Sequence, residues 1–529
     1  MSVVERGATV LSVKRRLLFS VGANMARAAI SLIAGLLVAR GLGPSDYGNL
    51  AYLLGSFWAI RALLDMGSGS AFYTFIAQRH RGRLYYLVYF GWLGFQFVFS
   101  TALVIQLLPQ SLVDRFWLGQ SRDLVVLALL ATFLQNQVWQ TVVQIHEAAR
   151  MTVRIQVSGL LIISTHVILV SAMLLGDWLS VRSVLSAIIV EYLVAAAWLS
   201  GALRRGVVRN ADDGGAASVG GVVSEYLAYC RPMMIIAVFT FCYEITDRWL
   251  LQRFGGSSQQ GFYQVAAQLS TISLLATSSV LNILWKEVAE ACARGDNARV
   301  IVLHQKATRF LMLLASGVSC FLAPWAENLV VALLGDAYHA GWPVLFLMLF
   351  YPVHQTMGQI NGTLFMATGR THSYMKVTVS GLVVSVPVSY LLIGPTDGVW
   401  VSGMGLGALG LALKMVCLNI LFVNIQSWMI CRQYLAAFRW YYQLLPIVTL
   451  LSVGYGSMFT VRVLAPGLAA GMDKSELFFG MLGSGFLYAF IFVTLLIYAP
   501  SVVGLRKDEM APVIEKVKHG VRDILRKLK

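Results

Sequence analysis

Charge is what this sequence has least of. Only 12% of its 529 residues are Asp, Glu, Lys or Arg, against about 25% in soluble domains, and that scarcity excludes an ordinary water-soluble fold. Acids are scarcer than bases, 25 against 41, which leaves a formal charge of +16. No Gly-rich run ends in Gly-Lys-Ser or Gly-Lys-Thr, so the chain has no loop of the kind that cradles a nucleoside triphosphate. No Ser/His/Asp arrangement stands out. His146-Glu147, His166 and His354 are too scattered for a metal site. The six cysteines, Cys230, Cys242, Cys292, Cys320, Cys417 and Cys431, lack paired ligand spacing and read as packing residues rather than a disulfide framework. Residues 1 to 16 carry charge without a separate apolar run and cleavage site, so the first apolar segment is expected to serve as its own targeting signal.

What fills the sequence instead is apolar: 58% of the residues, with a mean hydropathy of +0.71. A helix needs roughly 20 such residues to cross about 30 Å of hydrocarbon with every backbone group paired. Reading at that length gives about fourteen spans in an all-α polytopic membrane protein: 17–39, 50–70, 86–108, 124–145, 155–175, 183–203, 229–250, 262–285, 310–332, 343–366, 375–394, 403–425, 442–463 and 478–500. Tyr85-Tyr86, Trp285, Trp342 and Trp440-Tyr441-Tyr442 sit near span ends, where aromatic rings anchor to the membrane interface.

Basic residues alternate from side to side. Thirty of the 41 Lys and Arg fall in the tails and alternate loops on one side and eight on the other, while Arg27, Arg61 and Lys414 lie inside spans. The bias places both termini in the cytoplasm. It also accounts for the net charge through attraction to anionic lipid, without nucleic acid as a partner.

Two hinges repeat. Arg40-Gly41-Leu42-Gly43-Pro44-Ser45-Asp46-Tyr47-Gly48 separates the first two spans, and Arg253-Phe254-Gly255-Gly256-Ser257-Ser258-Gln259-Gln260-Gly261 separates two others 213 positions later. Gly43 matches Gly256 and Gly48 matches Gly261, which suggests a duplicated unit. The expected organisation is therefore a six-helix lobe over 1–203, a polar glycine-rich linker over 204–227 holding Asp212-Asp213-Gly214-Gly215, and a second six-helix lobe over 228–431. Two further helices follow over 432–505. Arg231-Pro232 is read as a helix entrance. In the tail, 506–529, Ile514, Val517, Val521, Ile524 and Leu528 recur among basic residues, the pattern of an amphipathic helix on anionic lipid or on the protein's underside.

Gly43-Pro44-Ser45-Asp46-Tyr47-Gly48, its echo at Gly256 to Gly261, Leu334-Gly335-Asp336-Ala337-Tyr338 before the tenth span and Gly295-Asp296 after the eighth together resemble a known group. The chain resembles bacterial polysaccharide or O-antigen flippases of the multidrug/oligosaccharidyl-lipid/polysaccharide exporter superfamily. The resemblance implies two six-helix lobes around a cavity with alternating access, two helices packed outside, and transfer of a polyprenyl-pyrophosphate-linked oligosaccharide across the bacterial inner membrane. A glycan polymerase or glycosyltransferase complex is the implied partner. Lipid II flippases share the plan and supply the alternative substrate, whereas drug exporters usually have twelve spans. An integral-membrane glycan ligase or polymerase is the alternative of another class, disfavoured by short outer loops.

A lipid pyrophosphate calls for cations facing a polar cavity. Arg27, Arg61 and Lys414 are the candidates, with Arg248 near a span end. Arg61 has Asp65 one turn away as a rival partner, and Arg27 has Asn24. Glu244 and Asp247, at i and i+3, share a helix face where H+ or Na+ could couple to transport, or Glu244 pairs with Arg248 instead. Glu191 is either a proton carrier or a packing hydrogen bond. No organic cofactor or metal is expected.

Overall fold

The computed structural model describes residues 13–78, 81–203, 218–274, 277–398, 401–464 and 474–505. The polar stretch 204–217, both chain tails and the expected amphipathic tail helix at 506–529 lie outside the described residues. Everything described is helix or connection.

Ten helices are long and apolar enough to cross a membrane among the described residues, or eleven if one bent pair counts as a span. The difference from fourteen has identifiable causes. Helix α1, Val13–Asp65, carries the first two expected spans as one helix interrupted only at Gly43. The seventh, in α9 (Val219–Leu250), bends by 54° between Arg231 and Met233. Proline inside a helix removes a backbone hydrogen bond and kinks it, so Pro232 lies at a bend and not at the helix entrance expected above. That entrance is Ser218, whose side chain accepts a hydrogen bond from Gly221 N–H at 3.1 Å. The eighth and tenth expected spans are each divided into shorter helices: α10 (Ser257–Ser270) with α11 (Thr277–Ala293), and α14 (Trp342–Met348) with α15 (Tyr351–Ala367).

The chain divides into two compact units, Met1–Gly261 and Phe262–Lys529. The first holds α1, α2 (Ser68–Gln78), α3 (Arg83–Ala102), α4 (Gln110–Phe116), α5 (Arg122–Phe133), α6 (Trp139–Ala148), α7 (Thr152–Leu175), α8 (Val181–Leu203) and α9. Here α1 packs along α7 and α9, and α5 along α8. An aromatic cluster joins α2, α3 and α9: Phe72 stacks on Tyr89 with ring centroids 4.0 Å apart, and Tyr85 stacks on Tyr226 at 4.7 Å. Arg81 grips both oxygens of Glu225 at 2.9 and 2.7 Å while lying over the Tyr85 ring, the fork geometry that suits Arg better than Lys.

The second unit contains α10 beyond Gly261, α11, α12 (Asn297–Leu322), α13 (Ala326–Leu334), α14, α15, α16 (Thr371–Ile393), α17 (Gly407–Gln433), α18 (Leu444–Leu464) and α19 (Lys474–Tyr498). Asp296 caps α12 by accepting from Arg299 N–H at 2.9 Å. Helix α12 packs on α15 and α18, α16 on α17, and α18 on α19. Tyr488 of α19 donates its hydroxyl to the Gly317 carbonyl of α12 at 2.9 Å. All six cysteines are unpaired.

Candidate functional site

The hinges come together within the first unit. Gly43 (φ 74°, ψ 171°) and Gly256 (φ 83°, ψ 174°) adopt one conformation, a region open essentially to glycine alone, and Gly335 ends α13 in the same way (φ 92°, ψ 174°). The other glycine pair is defined by approach. A Cβ on Gly48 would overlap the Ser257 carbonyl oxygen and stand 2.9 Å from Gly261 N, and a Cβ on Gly261 would overlap the Pro44 carbonyl oxygen and stand 3.2 Å from Pro44 Cα. The contact is reciprocal, because Pro44 and Ser257 are themselves matched positions of the repeat. Asn49 Oδ1 seals it, accepting from Ser257 Oγ at 2.7 Å and Gln252 Nε2 at 3.1 Å. Asn49 and Gln252 escaped the sequence reading, since neither is a charged residue in an apolar run.

A second feature is a break in the second expected span. Met66 (φ 47°) and Gly67 (φ 87°) turn the chain between α1 and α2. Asp65 Oδ1 then accepts from Ser68 Oγ at 2.8 Å and Gly69 N–H at 2.9 Å, and Trp92 Nε1 donates to Ser68 Oγ at 3.2 Å. Asp65 is thus occupied in starting α2, and no ion pair joins it to Arg61 among the described residues. Arg61 Nε is buried without a hydrogen-bond partner. The break opens on a cavity of about 390 Å³ lined by Asp65, Ser68, Tyr89, Trp92 and Tyr226.

The other cations have distinct settings. Arg27 donates to Asn24 Oδ1 at 3.0 Å and lies across Gly159 of α7, with Nη1 3.4 Å from where a Cβ would stand. Arg248 pairs with Glu244 at 3.3 Å across one helical turn. Its guanidinium lies over Gly55 of α1, and its Nε is buried without a partner. Asp247 is buried at 7% exposure, and Lys414 in the second unit is only 2% exposed. Glu191 meets a partner that its sequence neighbourhood does not show: His166 Nδ1 of α7 lies 3.0 Å from its carboxylate, with the side chains 13% and 4% exposed. The structure therefore brings Arg61, Arg27, Arg248, Glu244 and Glu191 into one unit and leaves Lys414 in the other. No cluster of three or more His, Cys, Asp or Glu side chains is placed to hold a metal ion among the described residues.

The first unit also holds an apolar groove of about 820 Å³, walled by Phe57, Leu64, Phe99, Trp117, Phe241 and Trp249. Among the described residues Arg115 is its one charged wall residue. Apolar walls of this kind with a single cation suit an amphiphile better than a free sugar.

Long apolar helices with glycine hinges between them mark a polytopic membrane protein. Comparison with known proteins agrees. The profile of the family described as "Polysaccharide biosynthesis protein" matches residues 37–343, more than half of the chain. The protein belongs to that family.

Among solved structures, the lipid II flippase MurJ in an inward closed conformation is similar at a TM-score of 0.65 and 12% identity, covering 91% of this chain and 98% of that one. A MOP superfamily transporter from Pyrococcus furiosus is similar at 0.53 and 13%, covering 80% and 96%. A multidrug resistance MATE family transporter in an inward-facing conformation is similar at 0.56 and 14%, covering 77% and 95%. At these identities the likeness is one of fold. No curated protein matches the sequence.

Proposed function

We propose that the protein is a flippase, carrying a polyprenyl-pyrophosphate-linked oligosaccharide across the bacterial inner membrane by alternating access of two six-helix halves among fourteen spans. The observation that carries this reading is membership of the polysaccharide biosynthesis family joined to a groove and cations suited to an amphiphilic anion. In this reading the groove walled by Phe57, Phe99 and Trp249 shelters part of the isoprenoid chain. Arg61, Arg27 and Arg248 face the pyrophosphate, which brings at least two negative charges that hydrocarbon cannot compensate. The unpartnered Nε donors of Arg61 and Arg248 are available for charge-assisted hydrogen bonds.

Lys414 contributes from the second unit when the cycle uncovers it. Glu244 with Asp247, or Glu191 with His166, exchanges H+ or Na+ during the cycle. Lipid II is the alternative cargo, favoured by the likeness to the MurJ fold.

The test is leaflet transfer in proteoliposomes of an intact fluorescent lipid-linked glycan, with lipid II in parallel. Transfer of the former above protein-free liposomes supports the reading, and transfer of lipid II alone replaces the cargo. Formation of a new glycosidic bond without transfer would sink it.

A further inference from the structure

The second unit contains a small polar cavity far in character from the apolar groove. It measures about 100 Å³, several times the roughly 10–15 Å³ needed to hold one water and too little for a glycan. Its walls come from α12 (His304, Thr308, Arg309), α17 (Ser427) and the connection into α18 (Arg439, Tyr442). No carboxylate lines it among the described residues.

Two of its wall groups are buried and unsatisfied. His304 is 3% exposed and Thr308 1% exposed, yet His304 Nδ1 and Thr308 Oγ1 have no hydrogen-bond partner. Buried polar atoms without partners are costly, so their persistence at a cavity wall points to something that completes them.

The tautomer of His304 follows from its neighbours. Asn361 Nδ2 donates to the Val423 carbonyl at 3.1 Å and to Ser427 Oγ at 2.9 Å. A carbonyl only accepts, so Asn361 Oδ1 faces His304 Nε2, 2.8 Å away, and Nε2 must carry the proton. The neutral ring therefore offers Nδ1 as an acceptor. Thr308 Oγ1 offers a donor, and Arg309, whose guanidinium lies 5.4 Å from the Tyr442 ring centroid, and Arg439 offer charge. The wall asks for an anion with several acceptor oxygens and one O–H.

We propose that this cavity binds a phosphate that keeps a proton near neutrality, either free inorganic phosphate or the headgroup of a lipid phosphomonoester. Phosphomonoesters have a second pKa of about 6, so a monoprotonated form is present near neutrality. Its O–H donates to His304 Nδ1, while its other oxygens accept from Thr308 Oγ1 and the two guanidinium groups. Sulfate has the same shape and charge class but no proton to give, and a phosphodiester has lost its only acidic proton well below neutrality. Both leave His304 Nδ1 facing oxygen lone pairs. The charge bias puts this end of α12 and α17 on the cytoplasmic side, where basic pockets between helices meet anionic headgroups. The proposal does not depend on the cargo of the transport pathway.

The experiment uses the full chain in phosphatidylcholine nanodiscs. Radiolabelled orthophosphate and fluorescent phosphatidic acid are titrated, with sulfate and phosphatidylglycerol as competitors. Phosphate or phosphatidic acid should bind at least about tenfold more tightly than sulfate or phosphatidylglycerol, one hydrogen bond's discrimination. Binding of orthophosphate that phosphatidic acid does not displace identifies the free anion as ligand, and binding of phosphatidic acid alone identifies the lipid. Arg439→Gln, at an exposed position, and the isosteric Thr308→Val should each weaken the bound species about tenfold. If Thr308→Val fails to fold, Arg439→Gln decides alone. Equal binding of sulfate or phosphatidylglycerol, no saturable binding of either phosphate probe, or unchanged affinity in Arg439→Gln overturns the proposal.

Discussion

Adding one methyl group at Gly48 or Gly261 tests the hinge contact directly. In either alanine variant the new Cβ overlaps a carbonyl oxygen across the contact, Ser257 in one case and Pro44 in the other, and the obstruction is backbone. Side chains can rotate away and a backbone cannot, so α1 and the α9–α10 hinge must part. Separating packed surfaces by 0.5–1 Å forfeits about a quarter to a half of the local dispersion energy, and overpacking costs about 1–3 kcal/mol. If the contact belongs to one conformation of a transport cycle, that cost shifts the population away from it about 5- to 150-fold.

Gln260, 1% exposed beside the contact, supplies a reporter as Gln260→Cys in a background without other cysteines. Labelling by a membrane-impermeant maleimide should speed up by that factor in Gly48→Ala and to a similar extent in Gly261→Ala, because the two contacts mirror each other. The double variant should gain much less than the sum, since the first substitution already parts the same surfaces. Unchanged labelling and thermal stability in both single variants would refute the reasoning.

Three further outcomes follow from buried charge. His166→Ala removes the hydrogen-bond partner of the buried Glu191 side chain and should destabilise by about 1–3 kcal/mol, whereas Glu191→Gln keeps an acceptor for the ring and should cost less; thermal unfolding in detergent ranks the two, and equal stability would remove the pair from the fold's support. Lys414→Gln should lower affinity for a lipid-linked pyrophosphate more than for the same lipid without charge, and equal binding of both lipids with normal transport would make it a structural cation. Glu244→Gln and Asp247→Asn cannot titrate and should flatten the pH dependence of transport at unchanged folded yield; a profile that keeps its shape in both variants excludes the pair as the coupling site.

Much of the architecture was legible because a membrane leaves the chain few options. Spans announce themselves as apolar runs, and Gly43 and Gly256 could be matched because a helix-ending glycine has a fixed conformational purpose. The sequence did not announce where a span is divided. Met66-Gly67 and Pro232 interrupt runs whose composition remains apolar, and α14/α15 divide at Leu349-Phe350 without a stretch of polar residues. Partners across helices were also hidden. Arg248 with Glu244 was readable from the i,i+4 spacing, but Glu191 with His166 depends on how α8 docks on α7. Arg61 with Asp65 had the same spacing as the first pair, yet the turn at Met66-Gly67 gave Asp65 the Ser68 hydroxyl and the Gly69 N–H as partners instead. A lysine in an apolar run signals cost without direction, and only the packing of α17 shows Lys414 turned inward.

The reciprocal placing of Gly48 against Ser257 and Gly261 against Pro44 has the pattern of an isologous interface, in which position i of one copy meets j of the other and j meets i. A single hinge thus carries both halves of a self-complementary surface, one glycine and one carbonyl, and two copies of it suffice to make the contact. Fused in one chain, the copies lose the freedom to drift apart at these positions. A bulky residue at either glycine obstructs the other hinge's carbonyl and not its own, so each hinge constrains the sequence of the other.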